Sequence, residues 1–273
     1  MRLSVARLQV VAVLFGVGMS VSGRSAAETL SDEWKFEAII YGYLPKISAS
    51  SSFPSGATHG ISVNADQILR NLNFAFMAWL AAQKGRWGMF TDIIYVDVSG
   101  SKSGTRHISI DGITVPAGIT ADLNLDVKSS LWTLAGSYRF VATPETNFDL
   151  FAGARDIVLK QNLSWNFSAD IGPFVGPGRQ GSSNVRVDKW DAIIGAKGRF
   201  AFGDRYEWYV PYYFDVGTGQ SQLTWQAIGG IGYAFSWGDL IAVWRYIDYH
   251  FKSNQAFANF SLNGPAVGVA FQW

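Results

Sequence analysis

Residues 264–273 read Gly-Pro-Ala-Val-Gly-Val-Ala-Phe-Gln-Trp and are the last ten of the sequence. Val267, Val269, Phe271 and Trp273 fall on one face, and Ala266, Gly268, Ala270 and Gln272 on the other. A period of two, with large apolar side chains on one side and small or polar ones on the other, is the pattern of a strand whose bulky face meets lipid. One such strand says little, because a soluble sandwich can also end this way. The fold depends on whether the rest of the chain repeats it.

Working backward and outward, it does. The alternation recurs over residues 34–44, 73–84, 87–99, 121–141, 147–165, 186–203, 206–217, 221–235, 240–252 and 257–273, which makes ten strands. In 121–141, for instance, Trp132, Leu134, Gly136, Tyr138 and Phe140 alternate with Thr133, Ala135, Ser137 and Arg139. Connections at Gly85, Pro144, Gly203 and Gly238 are short, whereas those at 45–72, 100–120, 166–185, 217–221 and 253–256 are mostly longer. Short and long connections alternate strictly. That predicts an all-β fold, a membrane-spanning antiparallel up-and-down β-barrel with short periplasmic turns, longer extracellular loops and both termini periplasmic. A closed wall also leaves no strand edge exposed to hydrocarbon.

Composition agrees. Of 273 residues 15% are aromatic and 29 are Gly, a use of residues suited to aromatic girdles and a crowded lumen. Beyond the N-terminus no apolar run approaches the roughly 20 residues a spanning helix needs. Cys is absent, which excludes disulfides, thiol nucleophiles and a lipoprotein anchor.

Arg2 and Arg7 precede an apolar run over residues 8–21, and Ser25-Ala26-Ala27 supplies small residues for a cleavage site, so 1–27 reads as a secretory signal peptide and 28–273 as one barrel domain. Removing 1–27 takes away Arg2, Arg7 and Arg24 and no acid, leaving 19 basic against 21 acidic residues. A balance this even gives no reason to expect nucleic acid as a partner. The expected surroundings are outer-membrane lipid and lipopolysaccharide, with the chain a monomer.

Within 45–72, Asp66 is placed to N-cap a short helix through Leu72 with Ile68, Leu69 and Leu72 on one side, either a lid or a packed loop helix. The inward faces collect Lys35, Arg139, Arg155, Lys197, Arg199 and Arg245 together with Glu37, Asp92, Asp149, Asp191, Glu207 and Asp215. The signs balance, which favours a paired network over a selective field of one sign. Tyr41, Tyr43, Tyr209 and Tyr213 share those faces, and a barrel of about ten strands is only modestly wider than one filled by its own side chains. The lumen is expected to be narrow or blocked. The charges are either a salt-bridged plug or a polar path for a small solute.

Catalysis finds little support. The three histidines are His59, His107 and His250, and Asp248-x-His250 places an acid and a base on one face at the outer end of a strand, among Tyr246, Tyr249 and Phe251 that read as an interface girdle. Neither metal-ligand spacing nor a phosphate-binding Gly loop is present, so no enzyme, metal or cofactor is expected.

A final strand that ends on an aromatic residue resembles those of bacterial outer-membrane β-barrel proteins, which implies recognition of that strand by the barrel-assembly machinery. Ala152-Gly153-Ala154-Arg155, Trp190-Asp191 with Gly195 and Gly198-Arg199, Asp215-Val216-Gly217, Arg245-Tyr246 and Gly264-Pro265 resemble a group of uncharacterised small outer-membrane barrel proteins of Gram-negative bacteria. The resemblance implies that Arg155, Asp191, Arg199, Asp215 and Arg245 form one lumen network. That group carries no assigned activity to transfer; the chain itself is expected to be a structural protein or a narrow passive channel for small polar solutes, with a surface loop-mediated binding protein, and behind it a lipid-modifying or proteolytic outer-membrane enzyme, as the alternatives.

Overall fold

The computed structural model describes residues 30, 32–51, 59–63, 65–104, 109–110, 113–114, 119–171, 174–175, 179–252 and 257–273. Segment 1–27, read from sequence as a signal peptide, and His107 lie outside them. Ten long strands form the wall: β1 (Lys35–Tyr43), β2 (Leu72–Lys84), β3 (Trp87–Gly104), β4 (Ile119–Ala142), β5 (Thr146–Ile171), β6 (Arg179–Phe202), β7 (Trp208–Gly219), β8 (Leu223–Ala234), β9 (Asp239–His250) and β10 (Phe257–Gln272). Each pairs antiparallel with its sequence neighbour, and β1 also pairs with β10, from Glu37 opposite Gln272 to Tyr43 opposite Ala266. The wall is therefore a closed barrel. At the seam the Phe36 N–H donates to the Trp273 carbonyl (2.9 Å) and the Trp273 N–H returns a bond to the Phe36 carbonyl (3.1 Å).

Short turns gather at one end, the turn end, where Gly85 and Gly203 take left-handed φ values of 56° and 96° that a β-carbon would oppose. The longer connections gather at the other, the loop end. There the structure departs from the expectation of loops. Strands β4, β5 and β6 are 24, 26 and 24 residues long, and their ladders run on through 100–104, 119–120, 166–171 and 179–185, all read as loop from sequence. Above the lipid no hydrocarbon imposes alternation, so a strand there carries Gly, Ser and Asn and looks like a loop.

The 45–72 segment departs in the same way. Tyr43 ends β1, the Leu44 N–H still bonds the Pro265 carbonyl (3.0 Å), and the strand Lys46–Ser51 then continues along β10, from Lys46 opposite Asn263 to Ser51 opposite Phe257. Pro45, with no N–H, breaks the ladder and the chain resumes beyond it. The upper half of β10 needs this partner, because its backbone groups would otherwise be unpaired at an edge. A second short strand, His59–Val63, pairs with Lys46–Ser51. Helix α1 (Ala65–Arg70) begins before Asp66, which lies in its first turn and is not its cap. Ile68 is buried and Leu69 is 52% exposed, so the two do not share a packed side.

The outward face is apolar at mid-height and aromatic at both margins. Near the turn end the belt includes Trp34, Phe36 and Trp273 (ring centroids 6.2 and 5.9 Å apart along the stack), Trp87, Tyr138 and Phe140 (4.9 and 5.0 Å), and Trp208, Tyr233, Phe235 and Trp237 (4.7, 4.6 and 5.6 Å). Toward the loop end come Phe74 with Tyr95 (6.0 Å), Trp132 with Trp190 (5.7 Å) and Trp225 with Tyr246 (4.8 Å). Between the belts Ile40, Leu80, Leu134, Leu150, Ile194, Ile231 and Val267 stand exposed. Above the upper belt the exterior turns ionic, with Lys128–Asp97 at 3.1 Å and Arg186–Asp188 at 2.8 Å. An apolar band between two aromatic girdles is what a bilayer asks of a barrel's exterior.

Candidate functional site in the lumen

Alternation sends every second side chain of each strand inward, and the inward residues meet across the lumen. The Arg155 side chain on β5 is 0% exposed, and its guanidinium donates to Asp215 on β7 through both terminal nitrogens, with Nη1 to Oδ1 at 3.0 Å and Nη2 in close contact with Oδ2. Its Nε donates to Thr133 Oγ1 at 3.2 Å and Nη2 also reaches the Tyr213 hydroxyl at 3.4 Å. Arg245 on β9 reaches across the barrel to Asp92 on β3 (Nη2 to Oδ2, 2.5 Å) and donates to Gln226 Oε1 (3.1 Å) and the Tyr41 hydroxyl (2.8 Å). Tyr41 passes its own proton donor to Asp92 Oδ1 at 2.6 Å, and the Tyr43 hydroxyl bonds the Arg245 carbonyl at 3.0 Å. Charges buried this deeply cost several kcal/mol each to desolvate, and bidentate geometry with further hydrogen bonds is what offsets it.

Nearer the turn end Arg139 forks onto Asp149 (Nε to Oδ1, 2.7 Å), Lys197 adds Nζ to Oδ2 at 3.1 Å, and the Lys197 ammonium lies 5.3 Å from the centre of the Phe90 ring. Arg199 covers the Tyr209 ring at 5.2 Å, and the Tyr209 hydroxyl donates to Asp239 Oδ2 at 2.9 Å. Between these ionic groups lies an aromatic cross-brace. Trp79 of β2 stacks on Phe90 (4.3 Å) and meets the edge of Tyr213 (6.0 Å), which stacks on Phe151 (5.0 Å). β2 and β7 are five strands apart in a wall of ten, so the Trp79–Tyr213 contact spans the lumen.

Of the twelve charged residues assigned to the lumen from sequence, Arg155 with Asp215, Arg245 with Asp92, and Arg139 and Lys197 with Asp149 are brought together. Asp191 is buried, yet its Oδ1 accepts the Ser221 N–H at 2.7 Å rather than a cation. Lys35 and Glu37 sit half-buried at the turn end, where Glu37 accepts a bond from Gln272 Nε2 at 3.2 Å. Glu207 lies in no lumen cluster. It precedes β7 in the turn after Gly203, where its carboxylate accepts the Arg205 N–H at 2.9 Å. Its own backbone N–H and that of Arg205 hold the carboxyl below the ordinary glutamate range.

Sequence reasoning missed Asp239, Gln226 and Tyr249. Asp239 directly follows the short connection at Gly238 and opens β9, where it shares the parity of Arg245 and points inward with it. Tyr249 and Phe251, girdle residues by their sequence setting, are instead 0% and 4% exposed inside the barrel, because Tyr249 lies on the inward face of β9 and Phe251, just beyond its end, keeps the same parity. Tyr246, Asp248 and His250 face outward. Asp248 Oδ2 lies 3.5 Å from His250 Nε2, with Trp225 and Ser261 as the ladder neighbours of Asp248. Among the described residues no cluster of three His, Cys, Asp or Glu side chains could hold a metal ion.

No family model matches the chain, and no curated protein sequence does. Among solved structures, the outer-membrane protease OmpT from Escherichia coli superposes with a TM-score of 0.47 at 11% identity over 90% of this chain and 98% of that one. The translocator domain of the autotransporter NalP from Neisseria meningitidis gives 0.41 at 14% identity over 88% of each chain. The attachment invasion locus protein Ail of Yersinia pestis, solved in complex with the heparin analogue sucrose octasulfate, gives 0.33 at 9% identity over 88% of this chain and 98% of that one. Likeness at this level carries no argument about activity. The closed ten-stranded wall, its apolar band and its two aromatic belts make the chain a β-barrel of the outer-membrane type.

Proposed function

We propose that the protein is an outer-membrane barrel closed across its lumen, a structural wall element and not a constitutive pore. Export by the segment 1–27, insertion through the C-terminal strand by the assembly machinery, and a seat among phospholipid and lipopolysaccharide belong to this reading. The observation that carries it is the Trp79–Tyr213 contact between opposite strands, flanked by the Arg245–Asp92 ion pair that also crosses the lumen. A polar solute would have to part both. Planar-bilayer recording tests the reading: the wild type is expected to be electrically silent, and the double variant Trp79→Ala with Tyr213→Ala to conduct. Steady single-channel current through the wild type would replace the closed barrel with a pore.

A second reading, a surface-binding protein, rests on the length of β4 to β6, at least twice the 12 residues each of β7, β8 and β9. A tilted strand of about 9–11 residues is enough to cross a bilayer. The surplus would stand outside as a raised sheet available to a partner. Shortening the paired ends of β4 and β5 should then abolish adhesion of displaying cells while leaving heat-resistant barrel mobility on a gel intact. Unchanged adhesion would remove this reading. The outward-facing Asp248–His250 pair is read as part of the ionic exterior and not as a catalytic dyad.

A further inference from the structure

Beneath the short connection between β7 and β8 the lumen holds a group of buried oxygens that the ion-pair network does not use. Asp191, Ser221, Thr224 and Tyr249 are 1%, 0%, 0% and 0% exposed. Among the described residues, Asp191 Oδ2, Ser221 Oγ, Thr224 Oγ1 and the Tyr249 hydroxyl have no hydrogen-bond partner. The ladder brings them to one place. Asp191 lies opposite Gly219, Thr224 lies opposite Gly217 on one side and Tyr249 on the other, and the Ser221 N–H is anchored on Asp191 Oδ1. Even a bond between the two facing hydroxyls, Thr224 and Tyr249, would leave the Asp191 oxygen and the Ser221 hydroxyl unsatisfied.

The charge count around the group is unequal. Arg155 is the cross-strand partner of Asp191, but it has turned to Asp215. Lys252, beside the same turn, donates to the Gly219 carbonyl at 2.8 Å. One guanidinium therefore serves two buried carboxylates, and the trio Arg155, Asp215 and Asp191 is short of one positive charge. Leaving a buried carboxylate uncompensated is far costlier than any neutral hydrogen bond repays.

We propose that Asp191, Ser221, Thr224 and Tyr249 form a binding site for a single alkali metal cation, such as sodium, at the loop end of the lumen. Hard carboxylate and hydroxyl oxygens suit such an ion, and hydroxyl ligands select against soft transition metals. The charge decides the valence: one monovalent ion brings the trio to neutrality, and a divalent ion would leave it positive. The site does not depend on whether the lumen conducts.

The test is thermal unfolding of the full chain refolded in detergent, in sodium chloride against N-methylglucamine chloride at equal ionic strength. Sodium should raise the unfolding temperature of the wild type in a saturable way. Asp191→Asn should abolish that increment, lowering stability in sodium and raising it in N-methylglucamine, because the substitution removes a needed ligand in one case and an unpaired charge in the other. Ser221→Ala, a milder change, should weaken the sodium midpoint several-fold without altering the N-methylglucamine value. Identical wild-type curves in the two salts, or a sodium increment that survives Asp191→Asn, would overturn the proposal. Crystals soaked in rubidium supply a direct check, with an anomalous peak expected within bonding distance of Asp191. Finding only water there, or the Arg155 guanidinium swung onto Asp191, would sink it.

Discussion

Arg155 and Arg245 are both buried guanidiniums inside the same barrel, and they are held differently. Arg245 reaches from β9 to β3, four strands around the wall, and its remaining partners, Tyr41 and Gln226, are neutral. Arg155 reaches only from β5 to β7, and a second carboxylate, Asp191, stands directly across the ladder from it. The first arrangement ties opposite walls together with one carboxylate and no reserve. The second has an alternative partner one strand away. Burial is the same in both, so the difference lies in redundancy.

That contrast makes the largest prediction. Asp92→Ala should leave Arg245 charged, buried and without a carboxylate, at a loss of about 3–5 kcal/mol in urea unfolding of the refolded barrel. Asp215→Ala should cost less, about 1.5–3 kcal/mol, because Arg155 can turn to Asp191 and lose only part of its charged hydrogen bonding. Equal losses from the two variants would end the idea of a reserve carboxylate. The double variant Asp215→Ala with Asp191→Ala would then sharpen it, since removing the reserve should bring the cost up to that of Asp92→Ala.

Smaller effects follow from the wall that positions these groups. A β-carbon at Gly153, one inward position from Arg155, would collide with the Leu134 carbonyl and with Ala135 of β4. Gly153→Ala should therefore push β4 from β5, loosen the Thr133 contact to Arg155 and cost about 1–3 kcal/mol by the same unfolding measurement. A neutral outcome would mean that the two strands separate freely. The smallest effect belongs outside. Hydrogen bonding to Lys128 holds the Asp97 carboxyl below its ordinary range. A lowered folded value means that its contribution is complete above the unfolded pKa, about 4, and is lost as pH falls through the folded value. Asp97→Asn should accordingly shift the urea midpoint slightly at neutral pH and not at all in strong acid. Screening by water at this exposed pair keeps the shift small.

Legibility in the sequence followed the lipid. Where the exterior meets hydrocarbon, Trp132, Leu134 and Phe140 had to alternate with Thr133 and Arg139, and the inward or outward direction of nearly every residue from β3 to β8 could be read. Where the wall stands clear of the membrane, that constraint is absent, and residues 100–104 and 166–171 passed for loops although both are strand. The pairing of Lys46–Ser51 with β10 was hidden for another reason, since Pro45 reads as a terminator and only the unpaired edge of β10 explains why the strand resumes. Inside, the faces of the charged residues were visible but their partners were not. Nothing in spacing along the chain tells Arg245 to choose Asp92, because closure of the barrel brings them together across the lumen from 153 positions apart. Glu207 was misplaced because its parity is correct for the lumen while the strand has yet to begin.

The seam between β1 and β10 carries a consequence for the life of the polypeptide before it reaches the membrane. Phe36 takes both of its ladder bonds from Trp273, and stacks on that ring at 5.9 Å. No closed wall can exist until the tenth strand has left the ribosome, so the chain cannot fold piecewise as it is made. Nine strands without the tenth present two raw edges, and the entropy of joining ends so distant along the chain is recovered only at the final zip. Until the tenth strand closes against the first, an aromatic-rich chain therefore carries open strand edges to any second copy it meets.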